Sequence, residues 1–302
     1  MTAPTPVLEL VRLSEVEPEP INWLWPGRIP KGKITLIAGH PGLGKSQVTV
    51  SIAAIVSSGG IWPVDEMPAD VGNVLILSAE DGLADTIKPR LLAAGADTDR
   101  IEAIKAVRTG DQSHPFSLNH DLELLRDTKA SLLIVDPLTA YLGGIDSHKN
   151  ADVRAFLAPL SELAQKMEMA VVCVSHLNKS SGNQAVLRIS GSMAFVAAVR
   201  AAYAVTVDPA NQSRRFFVPI KNNLALDQGG LAFRIESHEP EPGVMTSAVD
   251  WEPEAISISV DEALESLDPE ERGALDDAKE FLEELLTDSP VPGATVREAA
   301  TK

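Results

Sequence analysis

Four short runs along the chain are apolar at nearly every position: Ile34 to Ala38, Val74 to Ser78, Leu132 to Asp136 and Ala170 to Ser175. Uniformly apolar runs of this length predict strands buried on both faces, the pattern of a parallel sheet covered by helices on either side. Between and beside them the pattern turns helical, over Lys45 to Ser57, Ala84 to Ala94, Asp121 to Lys129 and Asp152 to Met167, as crossover connections require. Beyond Arg200, short strands follow one another closely, at Ala202 to Val207, Arg215 to Ile220 and Leu231 to Ile235. Turn residues separate them, which predicts an antiparallel extension of the sheet. The fold class is therefore α/β: a mostly parallel twisted sheet flanked by helices.

The flanks read differently. Residues 1–20 hold prolines and glutamates with little periodicity and predict a flexible arm. Trp23 and Trp25, in the stretch Ile21 to Pro30, are expected to pack that arm onto the core. A main domain follows over 21–250, then an acidic tail over 251–302. In the tail, Leu275, Ala278, Leu282 and Leu285 keep helical spacing, Pro290 and Pro292 close the segment, and a further helix is expected near Thr295.

Composition narrows the class. With 302 residues, 44% of them hydrophobic, the chain can bury one large α/β core and a small appendage. No apolar run reaches the roughly 18 to 20 residues of a membrane span, and no N-terminal signal pattern is present. A cytoplasmic protein without membrane partners is expected. The single cysteine, Cys173, falls inside an apolar run and reads as a buried small hydrophobe. The net charge of −17 is concentrated: residues 236–302 carry 19 acids and 4 bases, residues 1–235 carry 24 acids and 22 bases. That distribution excludes a large one-signed basic surface for nucleic acid but leaves room for local basic loops.

The densest chemistry lies in Gly39-His40-Pro41-Gly42-Leu43-Gly44-Lys45-Ser46, a full phosphate-binding loop placed after a predicted strand and before a predicted helix. Glycines let successive backbone N–H groups turn toward a phosphate, and the helix adds its positive N-terminal end. The candidate nucleotide contacts are Gly39, Pro41, Gly42, Leu43, Gly44, Lys45, Ser46 and the following Gln47. Lys45 is placed to reach the β- and γ-phosphates of ATP, and Ser46 to give an oxygen to Mg2+. Ser131 to Asp136 ends a strand in one carboxylate, which fits Asp136 as the second magnesium-site residue. Strand Val74 to Ser78 runs into Ala79-Glu80-Asp81-Gly82, which brings Glu80 to the sheet edge where ligands bind; a carboxylate there can activate water. His176 ends the strand from Ala170 and is a candidate sensor of the γ-phosphate.

In this order, these pieces resemble the RepA-type branch of the RecA/DnaB-like ATPases, the hexameric replicative helicases of plasmids and phages. The resemblance covers residues 20–236 and includes Ser78-Ala79-Glu80-Asp81, Leu133 to Leu138, Ser175-His176-Leu177-Asn178-Lys179, and Gly191-Ser192 with Phe195 and Arg200. It implies a RecA-like fold, Mg2+-dependent ATP hydrolysis, and assembly with copies of itself into a hexameric ring. It also implies single-stranded DNA and replication proteins as partners. By resemblance, Glu80 is the catalytic glutamate, His176 couples hydrolysis to movement, and Arg200 reaches a neighbouring subunit's nucleotide. Arg90, in Lys88-Pro89-Arg90, matches a family arginine near the adenine. Lys221, in Lys221-Asn222-Asn223-Leu224, resembles the lysine of a Lys-x-Arg element, with Asn223 where the family has arginine, so the trans-acting role is divided between Lys221 and Arg200. The loops Tyr141 to Asn150 and Lys179 to Ser190 are expected to face a central pore, with Lys149, Lys179 and Arg188 gripping a strand. The tail resembles the beginning of a small helical or winged-helix module. A helicase or translocase is the expected function; the alternative is a nucleotide-dependent switch acting on protein partners.

Overall fold

The computed structural model describes residues 10–143, 145, 149–176, 193–226, 228–258 and 262–263. Each of the four apolar runs is a strand: β3 (Ile34–Gly39), β4 (Asn73–Ser78), β8 (Ala130–Asp136) and β9 (Ala170–His176). Two short strands, β1 (Trp23–Trp25) and β2 (Ile29–Pro30), form a hairpin ahead of them, while β5 (Ile101–Ala103) lies beyond β4, and β6 (Val107–Thr109) and β7 (Gln112–His114) form a separate ribbon. β10 (Ala201–Asp208), β11 (Asn211–Asn222), β12 (Gly230–Glu241) and β13 (Val244–Ile256) complete a nine-stranded sheet of order β13-β12-β11-β10-β3-β9-β8-β4-β5. It is parallel from β10 to β5 and antiparallel from β10 to β13.

The runs are apolar throughout because each strand feeds two cores. Leu36, Ala38, Leu133 and Val135 face one layer, while Ile37, Leu132 and Ile134 face the other. Helix α1 (Lys45–Ser58) covers the second face and the amphipathic α3 (Asn150–Met167) the first. Between them α2 (Lys88–Ala93) packs beside α1, and α4 (Met193–Ala198) beside α3. Helix α1 is buried on nearly every side, since the β12–β13 ribbon lies along its outer face and Trp251 Nε1 donates to Ser51 Oγ at 2.9 Å. Cys173 is fully buried, and burial pushes its thiol up to about 12.

Two expectations are corrected, and one strand is unanticipated. The helix anticipated over 84–94 divides into a π turn at Leu83–Ile87 and the short α2. Pro89 has no N–H to return to Asp85, so the helical ladder shifts to five-residue spacing, as in the Ile87 N–H donated to the Gly82 carbonyl. The segment 121–129 tightens into a 3-10 helix over Leu122–Asp127. β13 has no counterpart among the expected elements, because Glu and Pro interrupt its apolar positions; a long register with β12 holds it instead.

Trp25 ties the N-terminal hairpin to this frame. It is fully buried, stacks on Trp62 at 4.8 Å and Phe217 at 6.1 Å, meets Trp251 edge-on, and donates Nε1 to Asp65 at 3.0 Å. Trp23 is only half-buried. Arg28, buried, donates to the carbonyls of Gly229 and Gln228. Among the described residues no helix is long and apolar enough to cross a membrane. Trp25→Ala is expected to cost about 3–5 kcal/mol of stability, because the stacked neighbours cannot collapse into the space; urea unfolding followed by circular dichroism measures it.

Candidate functional site

Because β3, β9, β8 and β4 run parallel, their C-terminal ends share one edge of the sheet, where ligands bind in open α/β folds. The register sets Gly39 beside His176 and Asp136 beside Ser78. From Gly39 the chain turns through 40–44 and enters α1 at Lys45. Two glycines are required by geometry. A Cβ on Gly39 would stand 2.6 Å from the Val205 carbonyl oxygen. Gly44 has φ +94°, and a Cβ there would meet Ile235 Cδ1 at 2.6 Å. Pro41 and Gly42 are exposed and Leu43 is half-buried, so the loop presents backbone to solvent just ahead of the helix N-terminus. Lys45 Nζ lies along this loop, donating to the His40 carbonyl at 2.9 Å.

The charges at this edge are held partly out of water. Burial lowers Lys45 to about 8, against the opposing pull of Asp136 and Glu80. Burial likewise raises Asp136 to about 6; the Ser46 hydroxyl, which donates to it, opposes the rise, and Asp81 and Glu80 add to it. Burial therefore outweighs the attraction between Lys45 and Asp136. The Ala79 N–H donates to the Asp136 carbonyl at 3.1 Å, which fastens the acidic turn to β8. Glu80 Oε1 lies 3.8 Å from His176 Nε2. His176 titrates below its ordinary value through burial and the Lys45 charge, with Glu80 opposing.

These residues fit a hydrated magnesium ion. Ser46 and Asp136 bring a hydroxyl and a carboxylate into hydrogen-bond contact, oxygen donors of the kind that Mg2+ takes. No group of three or more His, Cys, Asp or Glu is placed to hold a metal ion by itself among the described residues. An all-protein cage is not needed, since Mg2+ keeps several waters and takes phosphate oxygens.

The other candidates separate. Gln47 is buried, and its amide is assigned from its neighbours, all of which are satisfied when the oxygen accepts from Arg90 Nε at 3.1 Å and Ser247 Oγ at 2.7 Å and the NH2 donates to the Ser247 carbonyl at 3.1 Å. Arg90, expected beside adenine, pairs through Nη1 with Asp81 at 2.9 Å. Arg200 and Lys221 lie at the opposite edge, since Ala201 pairs with Thr35 and Lys221 with Ala202. Lys221 Nζ donates to the carbonyls of Val199 at 2.7 Å and Val196 at 3.1 Å, at the end of α4. Its ammonium titrates below the usual lysine value through burial and the charges of Arg200 and Arg154. Lys149 stands at the N-terminus of α3, while Lys179 and Arg188 lie outside the described residues. Sequence reasoning missed Ser247 and Arg154. Ser247 is brought in from 200 residues away and carries no motif; Arg154 is one of several charges on an amphipathic helix.

A family model described as an AAA domain matches residues 3–182, more than half of the 302-residue chain.

The displaced titration of Asp136 gives a signed expectation. Its folded value, about 6, exceeds its ordinary 3.8, so the folded chain binds more protons between those limits. Stability without nucleotide then falls as pH rises through that window, and the deficit persists at neutrality. Partial exposure screens the effect to about 1–2 kcal/mol. Asp136→Asn should therefore raise urea stability by about that amount at pH 7.5 and by almost nothing near pH 4. The same substitution should abolish the extra stabilisation conferred by Mg2+ together with ATP.

Proposed function

The chain belongs to the AAA-domain family of P-loop ATPases, and we propose that it is a cytoplasmic, magnesium-dependent ATPase of the RecA-like, RepA-type kind. In this reading it assembles with copies of itself as a hexameric ring and drives single-stranded DNA as a helicase or translocase in plasmid or phage replication, alongside replication proteins. One observation carries the reading: the hydrolytic groups and the best candidate trans-acting cation occupy opposite edges of one sheet. Lys45, Ser46, Glu80, Asp136 and His176 converge at the C-terminal edge. Arg200 and Arg154 sit near Lys221 at the other edge and form no ion pair among the described residues. About five residues of β3 separate the two, roughly 15 Å. At that distance Arg200 cannot reach its own loop, so a role on a phosphate would have to be on another copy's site.

Each residue then has a task. Loop amides and the α1 N-terminus receive the triphosphate, and Lys45 neutralises charge between its last two phosphates. Ser46 and Asp136 would hold Mg2+, which would supply polarisation of the phosphoryl group. Glu80 accepts the proton of the attacking water. His176, next to Glu80, feels the change in charge and passes it along β9 toward the segment that begins at residue 177. Lys149, Lys179 and Arg188, repeated around a ring, supply the phosphate contacts that one acidic chain lacks.

A specific observation favours the second reading, a nucleotide-dependent switch on protein partners. Lys221 is already engaged by α4 carbonyls and Asn223 stands beyond it, so the Lys-x-Arg element is incomplete.

Turnover with and without single-stranded DNA separates the readings. Stimulation that disappears in Lys179→Glu/Arg188→Glu supports the motor, and turnover indifferent to DNA supports the switch. Arg200→Ala should lower turnover by about 10³-fold, the scale of a lost arginine finger, while nucleotide affinity persists. Native mass should rise with a nonhydrolysable ATP analogue, and a monomer under all conditions would overturn the ring. Lys45→Ala serves as the inactive control.

A further inference from the structure

We propose that Arg90 is a positioning residue for hydrolysis: its guanidinium ties the acidic turn carrying Glu80 to the P-loop helix and so fixes the water-activating carboxylate relative to Lys45 and Ser46. This inference rests on the ATPase reading above. The fork of Arg90 is used in two directions. Nη1 meets Asp81 Oδ2 at 2.9 Å, on the residue directly after Glu80. Nε donates to the Gln47 amide oxygen at 3.1 Å, on the residue directly after Ser46. Gln47 is itself buried and bonded to both the hydroxyl and the carbonyl of Ser247, so the second anchor does not swing.

The turn is thereby held on both flanks of Glu80. On one side the Ala79 N–H donates to the Asp136 carbonyl; on the other Asp81 is clamped by Arg90. Glu80, largely exposed between these fixed neighbours, reaches His176. A planar guanidinium can hold a carboxylate and an amide at once along its edge, whereas an ammonium cannot keep the same fixed fork. The pairing also offsets the Asp81 charge, which together with Glu80 bears on Asp136. With its edge committed to Asp81 and Gln47, Arg90 acts on the geometry of the reacting groups rather than on the choice of base.

Steady-state kinetics distinguish the two roles. Arg90→Ala and Asp81→Asn should each lower kcat by at least about 10-fold, toward the 10² to 10⁴ contribution of a positioned general base. KM for ATP and the affinity for a fluorescent nonhydrolysable ATP analogue should stay within about threefold. The double variant should be little worse than either single one, because both cut the same link. Arg90→Lys should recover part of kcat through the ion pair alone. If Arg90→Ala instead raises KM and erases the preference for ATP over GTP while kcat holds, Arg90 contacts the base and the proposal is overturned; unchanged kcat in Asp81→Asn overturns it equally. Should Arg90→Ala fail to fold by thermal melting, Asp81→Asn and Arg90→Lys decide the matter alone. Failure of the underlying ATPase reading looks different: wild type would turn over no Mg2+-ATP, or no faster than Lys45→Ala.

Discussion

An ammonium and a carboxylate kept partly dry at the ends of neighbouring strands set the terms for everything else in this molecule. Lys45 and Asp136 each lose more by burial than they regain from one another, as their opposite displacements from ordinary titration show. Such groups persist only where surrounding packing over-determines them. Here two apolar layers clasp the sheet, and the stacked set of Trp25, Trp62, Phe217 and Tyr203 secures the side beneath α1. Stability held in those layers offsets the cost at the edge.

Much of this was readable in the chain, for reasons that differ by element. β3, β4, β8 and β9 announce themselves because burial on both faces removes polar positions, and the loop from Gly39 to Ser46 announces itself because only glycines tolerate the close approach to Val205 and the φ of Gly44. Asp136, Glu80 and His176 follow once those strands are placed, since each ends one of them or lies in the turn after it. What stayed hidden depends on distant partners. Neither β13 nor Ser247 has a local signature, and Pro89 shifts a helical ladder that periodicity alone would continue. The partners of Arg90 belong to the same class: its position can be matched to a motif, but the direction of its guanidinium cannot.

The arginines of the antiparallel ribbon make a useful contrast. Arg214 is fully matched, bonded to Asp208 at 2.9 Å and to Glu252, which also meets Arg234 at 3.5 Å. Acidic residues are abundant in this chain, and the ribbon uses them to neutralise its own cations. Arg154 and Arg200, both exposed, form no ion pair among the described residues, and their charges bear on Lys221.

The β12–β13 ribbon also bears on the order in which the protein comes into being. Gln47 and Ser51, on the first helix of the sheet, find their partners Ser247 and Trp251 about 200 positions later. During synthesis the phosphate loop is therefore finished early as a peptide and late as a structure, with its helix lacking an outer wall until β13 has emerged. Contacts so distant in sequence form slowly. The nascent chain meets the cell's nucleotide pool and its chaperones with that apolar helix still uncovered.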